Sequence, residues 1–335
     1  MLSGFDHATG AHCGSTSLRD VADFREWGLS EPVCFGIGGG LGFSYIEDED
    51  SPTRQFVGRS PWLERGFYDH LGIDYAENEG QSFDAAWADV CDHLDSGRPV
   101  LLFVDIFGLP YFGSDVHFSP HVVVAVGHDA AAETVTLADS EFDAVQELPL
   151  SDLAAAWASD HGFFGAIENP WLAPLGEEPT RSVADAARDG LELTTQTMLD
   201  PDSLSFPGDA QNGLDGMRAF GRELPDWDDL PDATWCTRFA YQNVEKRGTG
   251  GGAFRGLFAP FLDAMTDELD AVDAALAEDA RAIADDWSAV GQHLKRAGLA
   301  DDESESRAAY ADAGEAVLAV ADREEVLYET LRERL

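Results

Sequence analysis

Apolar positions recur at two different spacings up to residue 170, and at one spacing beyond it. Residues 15–27 carry Leu18, Val21, Ala22 and Trp27 at helical intervals, and Gly28 is placed to stop the helix. Helices are predicted again over 61–70 and 83–94, the second with Trp87, Val90, Cys91 and Leu94 on one face. The pattern then changes. Residues 99–104 and 121–127 contain short unbroken apolar runs, the mark of strands buried on both faces. Residues 133–138 alternate as a half-buried strand does, and pair with the preceding strand through a turn over 129–132. Residues 145–148 and 163–167 add edge strands, with a short helix over 151–159 between them. Helices at 182–193, 213–220, 233–244, 254–297 (broken or continuous) and 306–334 fill the rest, after a Pro- and acid-rich seam at 169–179.

The expected fold class is therefore α+β: early helices packed on an antiparallel sheet over 1–170, followed by an all-helical domain over 171–335, joined at the seam. No run of about 18 apolar residues occurs, so no membrane-spanning helix is expected. The first seven residues lack the basic-then-apolar order of a secretory signal, which points to the cytoplasm.

Charge alters this picture more than composition does. Asp and Glu total 64 against 21 Lys and Arg, a net charge of −43, and the only lysines are Lys246 and Lys295. The acid is spread along the whole chain, which marks a property of the entire surface rather than a docking tail. Such a surface repels itself, and salt screens the repulsion, so a salt-rich cytoplasm, as in a halophile, is the expected setting. Nucleic acid is excluded as a natural partner, because its phosphates would meet a field of their own sign.

Four cysteines occur, Cys13, Cys34, Cys91 and Cys236, with no C-x-x-C pair, which argues against zinc and against a disulfide framework. Cys34, Cys91 and Cys236 sit among apolar residues as small buried hydrophobes would. Cys13 differs. It stands at the start of an amphipathic helix, where the helix terminus favours a thiolate, and Gly14 allows the tight turn. Its own N–H then points where an oxyanion would form. On local context alone, a buried structural cysteine explains it equally well. Order along the chain adds weight: His121 opens one strand and Asp139 closes the next, so antiparallel pairing brings them to one sheet edge. Asp139 can then orient the imidazole that activates the thiol. Alone, the histidine reads as a strand-end polar residue and the aspartate as a turn residue.

The stretches His12-Cys13-Gly14-Ser15-Thr16-Ser17-Leu18-Arg19 and Phe35-Gly36-Ile37-Gly38-Gly39-Gly40-Leu41-Gly42-Phe43 resemble the N-terminal domain of the butirosin biosynthesis protein H family. Gly97-Arg98-Pro99-Val100-Leu101-Leu102, Leu109-Pro110-Tyr111-Phe112 and His121-Val122-Val123-Val124 continue the resemblance. Glu245-Lys246-Arg247-Gly248-Thr249-Gly250-Gly251-Gly252 resembles the accessory domain of unknown function that commonly follows it. The resemblance implies a papain-like fold related to bacteriocin-processing cysteine peptidases. It also implies transfer of a γ-glutamyl-aminoacyl group from an acyl-carrier protein thioester to an aminoglycoside amine. Papain-like enzymes place a glutamine six residues before the nucleophile as oxyanion donor; here that position is His7, an expected substitute. His12 matches the family motif, but its side chain is expected to point away from the base, outside the catalytic set.

Other stretches invite chemistry too. The glycines over 36–42, with Gly38, Gly39 and Gly40 at their centre, lack the Lys-Ser/Thr of a phosphate loop and are expected to let backbone approach the thiol or substrate. Lys246, Arg247, Gly250 and Gly251 offer amides and scarce positive charge, suited to a phosphopantetheine arm or to a plain flexible connector. Asp105, Asp115 and His117 lack regular ligand spacing and read as a solvated loop, so no metal and no cofactor is expected. Three functions remain open: acyl transfer from a carrier to a small-molecule amine, hydrolysis by a peptidase or amidase, and non-catalytic binding of a peptide or carrier. The presence of all three polar groups argues against the last, and the attached helical domain, a cover for the cleft, favours the first.

Overall fold

A computed structural model of the chain describes residues 1–49, 51–161, 165–200 and 210–335. The elements begin with helices α1 (Cys13–Phe24) and α2 (Glu31–Ile37), strands β1 (Leu41–Glu47) and β2 (Arg54–Arg59), and helix α3 (Leu63–Leu71). Next come β3 (Tyr75–Asn78), α4 (Phe83–Asp95), β4 (Val100–Val104), β5 (His121–Asp129), β6 (Thr134–Ala138) and β7 (Gln146–Pro149). Helix α5 (Leu150–Trp157) and strands β8 (Ala158–Ser159), β9 (Ile167–Glu168) and β10 (Trp171–Pro174) follow. The remainder is α6 (Val183–Leu199), β11 (Gln211–Asn212), α7 (Gly213–Glu223), α8 (Ala233–Glu245), α9 (Arg255–Met265), α10 (Ala274–Leu299) and α11 (Glu303–Arg334). They form two compact units: Met1–Cys34 with Leu71–Arg181, and Phe35–His70 with Ser182–Leu335.

The first unit is built on a six-stranded antiparallel sheet in the order β3-β10-β4-β5-β6-β7. Its central strands are the two apolar runs, paired Leu101 to Val124 and Phe103 to Val122. Val100, Leu102, Val104, Val123 and Ala125 share a core with Val90 and Leu94 of α4 and with Leu153 and Trp157 of α5. Alternate residues point the other way, and along that side α1 lies against β5 with Leu18, Val21 and Ala22 buried. Each such Val or Leu contributes about 1.5–3 kcal/mol on burial, so the floor under the helix start is rigid.

The α+β class is as expected; the details differ. Helix α1 starts at Cys13 rather than Ser15 and ends at Phe24, short of Gly28. The seam expected as a linker contributes β10, whose residues are buried between β3 and β4. Of the edge strand expected over 163–167, residues 163 and 164 lie outside the described residues, and Ile167 opens β9.

The second unit is mostly helical, with a hairpin added: β1 pairs with β2, and β11 completes a three-stranded sheet on the other side of β1. Phe43 and Phe56 from the hairpin stack 5.1 Å apart and meet Trp287 of α10. The expected 254–297 helix is broken, into α9 and α10. At its centre Arg255 and Glu324, both buried, pair through Nε to Oε1 at 2.8 Å and Nη2 to Oε2 at 2.7 Å. Trp287 Nε1 and Tyr328 OH donate to the same carboxylate at 2.8 and 3.0 Å.

Candidate active site

Cys13 occupies the first turn of α1, with His12 as the N-cap: the His12 Nδ1 accepts from the Ser15 N–H at 3.2 Å. The loop before it is held by Glu31, whose carboxylate accepts from the N–H groups of Ala11 and His12 and from the hydroxyls of Ser15 and Thr16 at 2.9–3.1 Å. Gly10 has no alternative here, since a Cβ would lie 2.0 Å from Thr16 Oγ1. A carboxylate at a helix start also complements the helix dipole.

His121, at the start of β5, is buried, and its Nε2–H donates to Asp139 Oδ1 at 3.1 Å. That leaves Nδ1 as the nitrogen for the thiol. Asp139 is fully buried at the end of β6. Its Oδ2 accepts from the Tyr111 hydroxyl at 3.0 Å, and its Oδ1 from the Glu141 N–H at 3.2 Å. Phe112 sets its ring edge-on to His121, 5.5 Å between centroids, and Phe142 packs against both Tyr111 and Phe112.

The electrostatics follow from this packing. Burial by itself pushes the Cys13 thiol up, but the neighbouring His12 and His121 rings, through charge and hydrogen bonding, bring it well below an ordinary thiol. Burial likewise disfavours charge on His121, and the bonds to Asp139 and Cys13 overcome it, raising the imidazole to about 10. Asp139 resists burial through His121, Glu141 and Tyr111 and stays below the usual carboxylate range. Both shifts favour a thiolate beside an imidazolium. The other three thiols behave oppositely: burial pushes Cys34 far up, Cys91 to about 11 and Cys236 upward too. Only Cys13 combines a stabilised anion with partial exposure.

His7 does not serve as a spare oxyanion donor. Its Nδ1–H donates to Asp20 Oδ2 at 2.6 Å, and its Nε2–H is shared by the carbonyls of Phe142 (2.8 Å) and Asp139 (3.1 Å). Both ring protons are committed, and the Asp20 bond, against the opposing effect of burial, raises its pKa. Arg19 braces Asp20 at 2.7 Å. His7 thus latches the turn that carries Asp139 to α1, reinforced by Gly10 N–H on Ser140 O at 3.2 Å.

His12 caps α1 directly before the thiol, and its charge and hydrogen bonding are among the influences that bring Cys13 down. Tyr111 and Glu31 were missed: Tyr111 gave only a motif match, and Glu31 lies 18 positions from Cys13 with nothing local to mark it.

Gly38, Gly39 and Gly40 belong to the second unit, where packing accounts for them: a Cβ on Gly38 would lie 2.4 Å from Leu63 O, and one on Gly39 2.6 Å from Leu193 Cδ2. The expected glycine loop is largely regular, since α2 runs to Ile37 and β1 begins at Leu41. Lys246, Arg247, Gly250 and Gly251 also lie in the second unit. Lys246 is exposed at the end of α8, and Arg247 stacks on Phe239 at 4.3 Å. Burial, with Arg238 nearby, draws Arg247 down to about 10. A Cβ on Gly250 would lie 2.8 Å from Leu257 Cγ. In the first unit Asp105 is buried rather than solvated, accepting from His117 Nδ1 at 2.6 Å and Ser159 Oγ at 2.7 Å.

Residues 12–140 match the N-terminal domain of butirosin biosynthesis protein H, and residues 151–331 match a domain of unknown function, DUF4872. The chain belongs to the butirosin biosynthesis protein H-like family. The first match begins at His12 and ends at Ser140, so it spans Cys13, His121 and Asp139. Membership indicates a butirosin biosynthesis-type protein and suggests a biosynthetic enzyme. No curated protein matches the chain. Among the described residues no helix is long and apolar enough to cross a membrane.

Proposed function

We propose that the first unit is a papain-like thiol acyltransferase that moves an aminoacyl group from a carrier thioester to a small-molecule amine. The supporting observation is the half-open Cys13 thiol, held low beside an imidazole whose far nitrogen is fixed by a buried carboxylate. The thiolate attacks the thioester carbonyl, the carrier thiol leaves with the His121 proton, and an acyl-enzyme remains. The incoming amine then attacks the acyl carbon, and His121 takes its proton as Cys13 is expelled. A net charge of −43 suits the molecule to a salt-rich cytoplasm.

An aminoacyl N-acetylcysteamine thioester tests this reading. Wild-type protein should gain the acyl mass and Cys13→Ala should not, and an added aminoglycoside should discharge the acyl group to an amide faster than water does. Discharge to the free acid alone would replace transfer with hydrolysis. No acyl adduct would remove the enzymatic reading.

A further inference from the structure

We propose that His7 is a positioning residue for the Cys13–His121–Asp139 site: it is held as an imidazolium that clamps the turn behind Asp139, and loss of its proton opens the clamp. This deepens the acyl-enzyme reading above and, for its effect on rate, rests on it.

The ring sits where neither neutral tautomer satisfies it. Its side chain is 3% exposed, as is that of Asp20. Nε2 faces two carbonyl oxygens, of Phe142 at 2.8 Å and of Asp139 at 3.1 Å, and a carbonyl only accepts, so Nε2 carries a hydrogen. Nδ1 lies 2.6 Å from Asp20 Oδ2. The other oxygen of that carboxylate takes two bonds from the Arg19 guanidinium, from Nη2 at 2.7 Å and Nε at 3.2 Å, a pairing made by the carboxylate anion. An anion of this kind only accepts, so Nδ1 carries a hydrogen too. With both protons in place the ring is a cation, and the Asp20 bond raises its pKa accordingly, against burial. The charged groups packed around it are Asp20 and Arg19 on α1 and Asp139 and Glu141 on the turn, with Asp6 beside it in the chain. Asp139 spends its carboxylate on His121 and Tyr111, and Asp6 and Glu141 are exposed.

The clamp closes on both ends of the turn, Asp139 and Phe142, which the turn itself joins through Phe142 N–H on Asp139 O at 3.0 Å. Both ends reach the base. Asp139 fixes Nε2 of His121 directly, and Phe142 packs on Phe112, whose ring meets His121 edge-on. When pH rises, the His7 ring keeps the proton it shares with the Asp20 anion, because a charge-assisted bond is stronger than one to a neutral carbonyl. Nε2 then turns a lone pair toward two carbonyl oxygens, and both clamp bonds are lost. Gly10 N–H on Ser140 O, at 3.2 Å, is left to tie the turn to the N-terminal segment. The clamp is therefore closed below the pKa of His7 and open above it.

Two readouts of one titration test this. The NMR signals of isotope-labelled histidine rings, with His7 assigned by its loss in His7→Gln, report protonation. Acylation of Cys13 by 4-nitrophenyl acetate, read as the nitrophenolate burst, reports the site. In wild type the His7 midpoint should lie above the ordinary value of about 6.5, with both ring nitrogens protonated below it. The His121 signals should shift, and the burst rate should fall, at that same midpoint. His7→Gln keeps an N–H near the Nε2 position and has no proton to lose, so both changes at that midpoint should vanish. His7→Ala has no donor and should lower the burst by about tenfold across the pH range, with His7→Gln recovering most of it. A singly protonated His7 ring at pH 6 would overturn the proposal. So would a His7 midpoint that neither the His121 signals nor the burst follow, or the same alkaline fall in His7→Gln. If His7→Ala does not fold, the pH profile of His7→Gln still decides. Failure of the underlying reading looks different: wild type would then give no Cys13-dependent burst, while the His7 and His121 signals would still titrate together.

Discussion

Each unit buries an ion pair, and the two are finished differently. Around Glu324 every charge is answered: two bonds from Arg255, one from Trp287 and one from Tyr328, with Arg255 also donating to the Ala253 carbonyl. Around Cys13 the saturation stops at the reacting edge. Asp139 is fully buried and triply bonded, His121 is buried, and the thiol is half-open. A closed network stabilises one arrangement of the chain, while an open one holds a charge ready for a ligand.

Removing one partner from the closed network should give the largest effect. Glu324→Gln leaves Arg255 buried with its charge unmatched, and denaturant unfolding should show a loss of about 3–5 kcal/mol. A loss under about 1 kcal/mol would mean that water reaches the pair. In the open site the expected losses fall on rate. His121→Ala should slow iodoacetamide alkylation of Cys13 at neutral pH by about 10²-fold or more. Asp139→Asn should slow it roughly tenfold by releasing the ring, with the burst rate falling in parallel. Tyr111→Phe removes one donor from Asp139, a change of about 1 kcal/mol. Its carboxylate pKa should rise, moving the acid limb of the activity profile upward; an unmoved limb would show that Tyr111 only packs.

The pH dependence of stability has a definite sign. Asp139 is depressed in the folded state, so its contribution is present above about 3.9 and is lost as pH falls through the folded value. His121 is raised, so its contribution is complete below about 6.5 and is lost as pH climbs through about 10. Both are present in full between about 3.9 and 6.5, where this pair contributes most to stability.

The parts of this site legible in the sequence are those written as local pattern. The apolar runs announced β4 and β5, and the positions of His121 and Asp139 on successive strands placed them at one edge. What stayed hidden depends on bonds between distant residues. His7 reads as an oxyanion donor by position, and only its contacts with Asp20 and the 139–142 turn show a latch. Glu31 looks like an ordinary helix start until its carboxylate is seen under the Cys13 loop. The glycines over 36–42 are expected to let backbone approach the thiol or substrate, yet they fit against the backbone of Leu63 and the side chains of Leu193 and Phe261 in the second unit. Close packing of that kind has no period for a sequence to display.

The central claim concerns one thiol, and its titration tests it most directly. The rate of Cys13 alkylation by iodoacetamide should be followed from pH 5 to 10 by intact mass, with Cys13→Ala as the blank. The account predicts a rate that has already reached a plateau by neutral pH, with the imidazolium partner intact until about 10. A rate that climbs about tenfold per pH unit up to an ordinary thiol value of about 8.5 would contradict it.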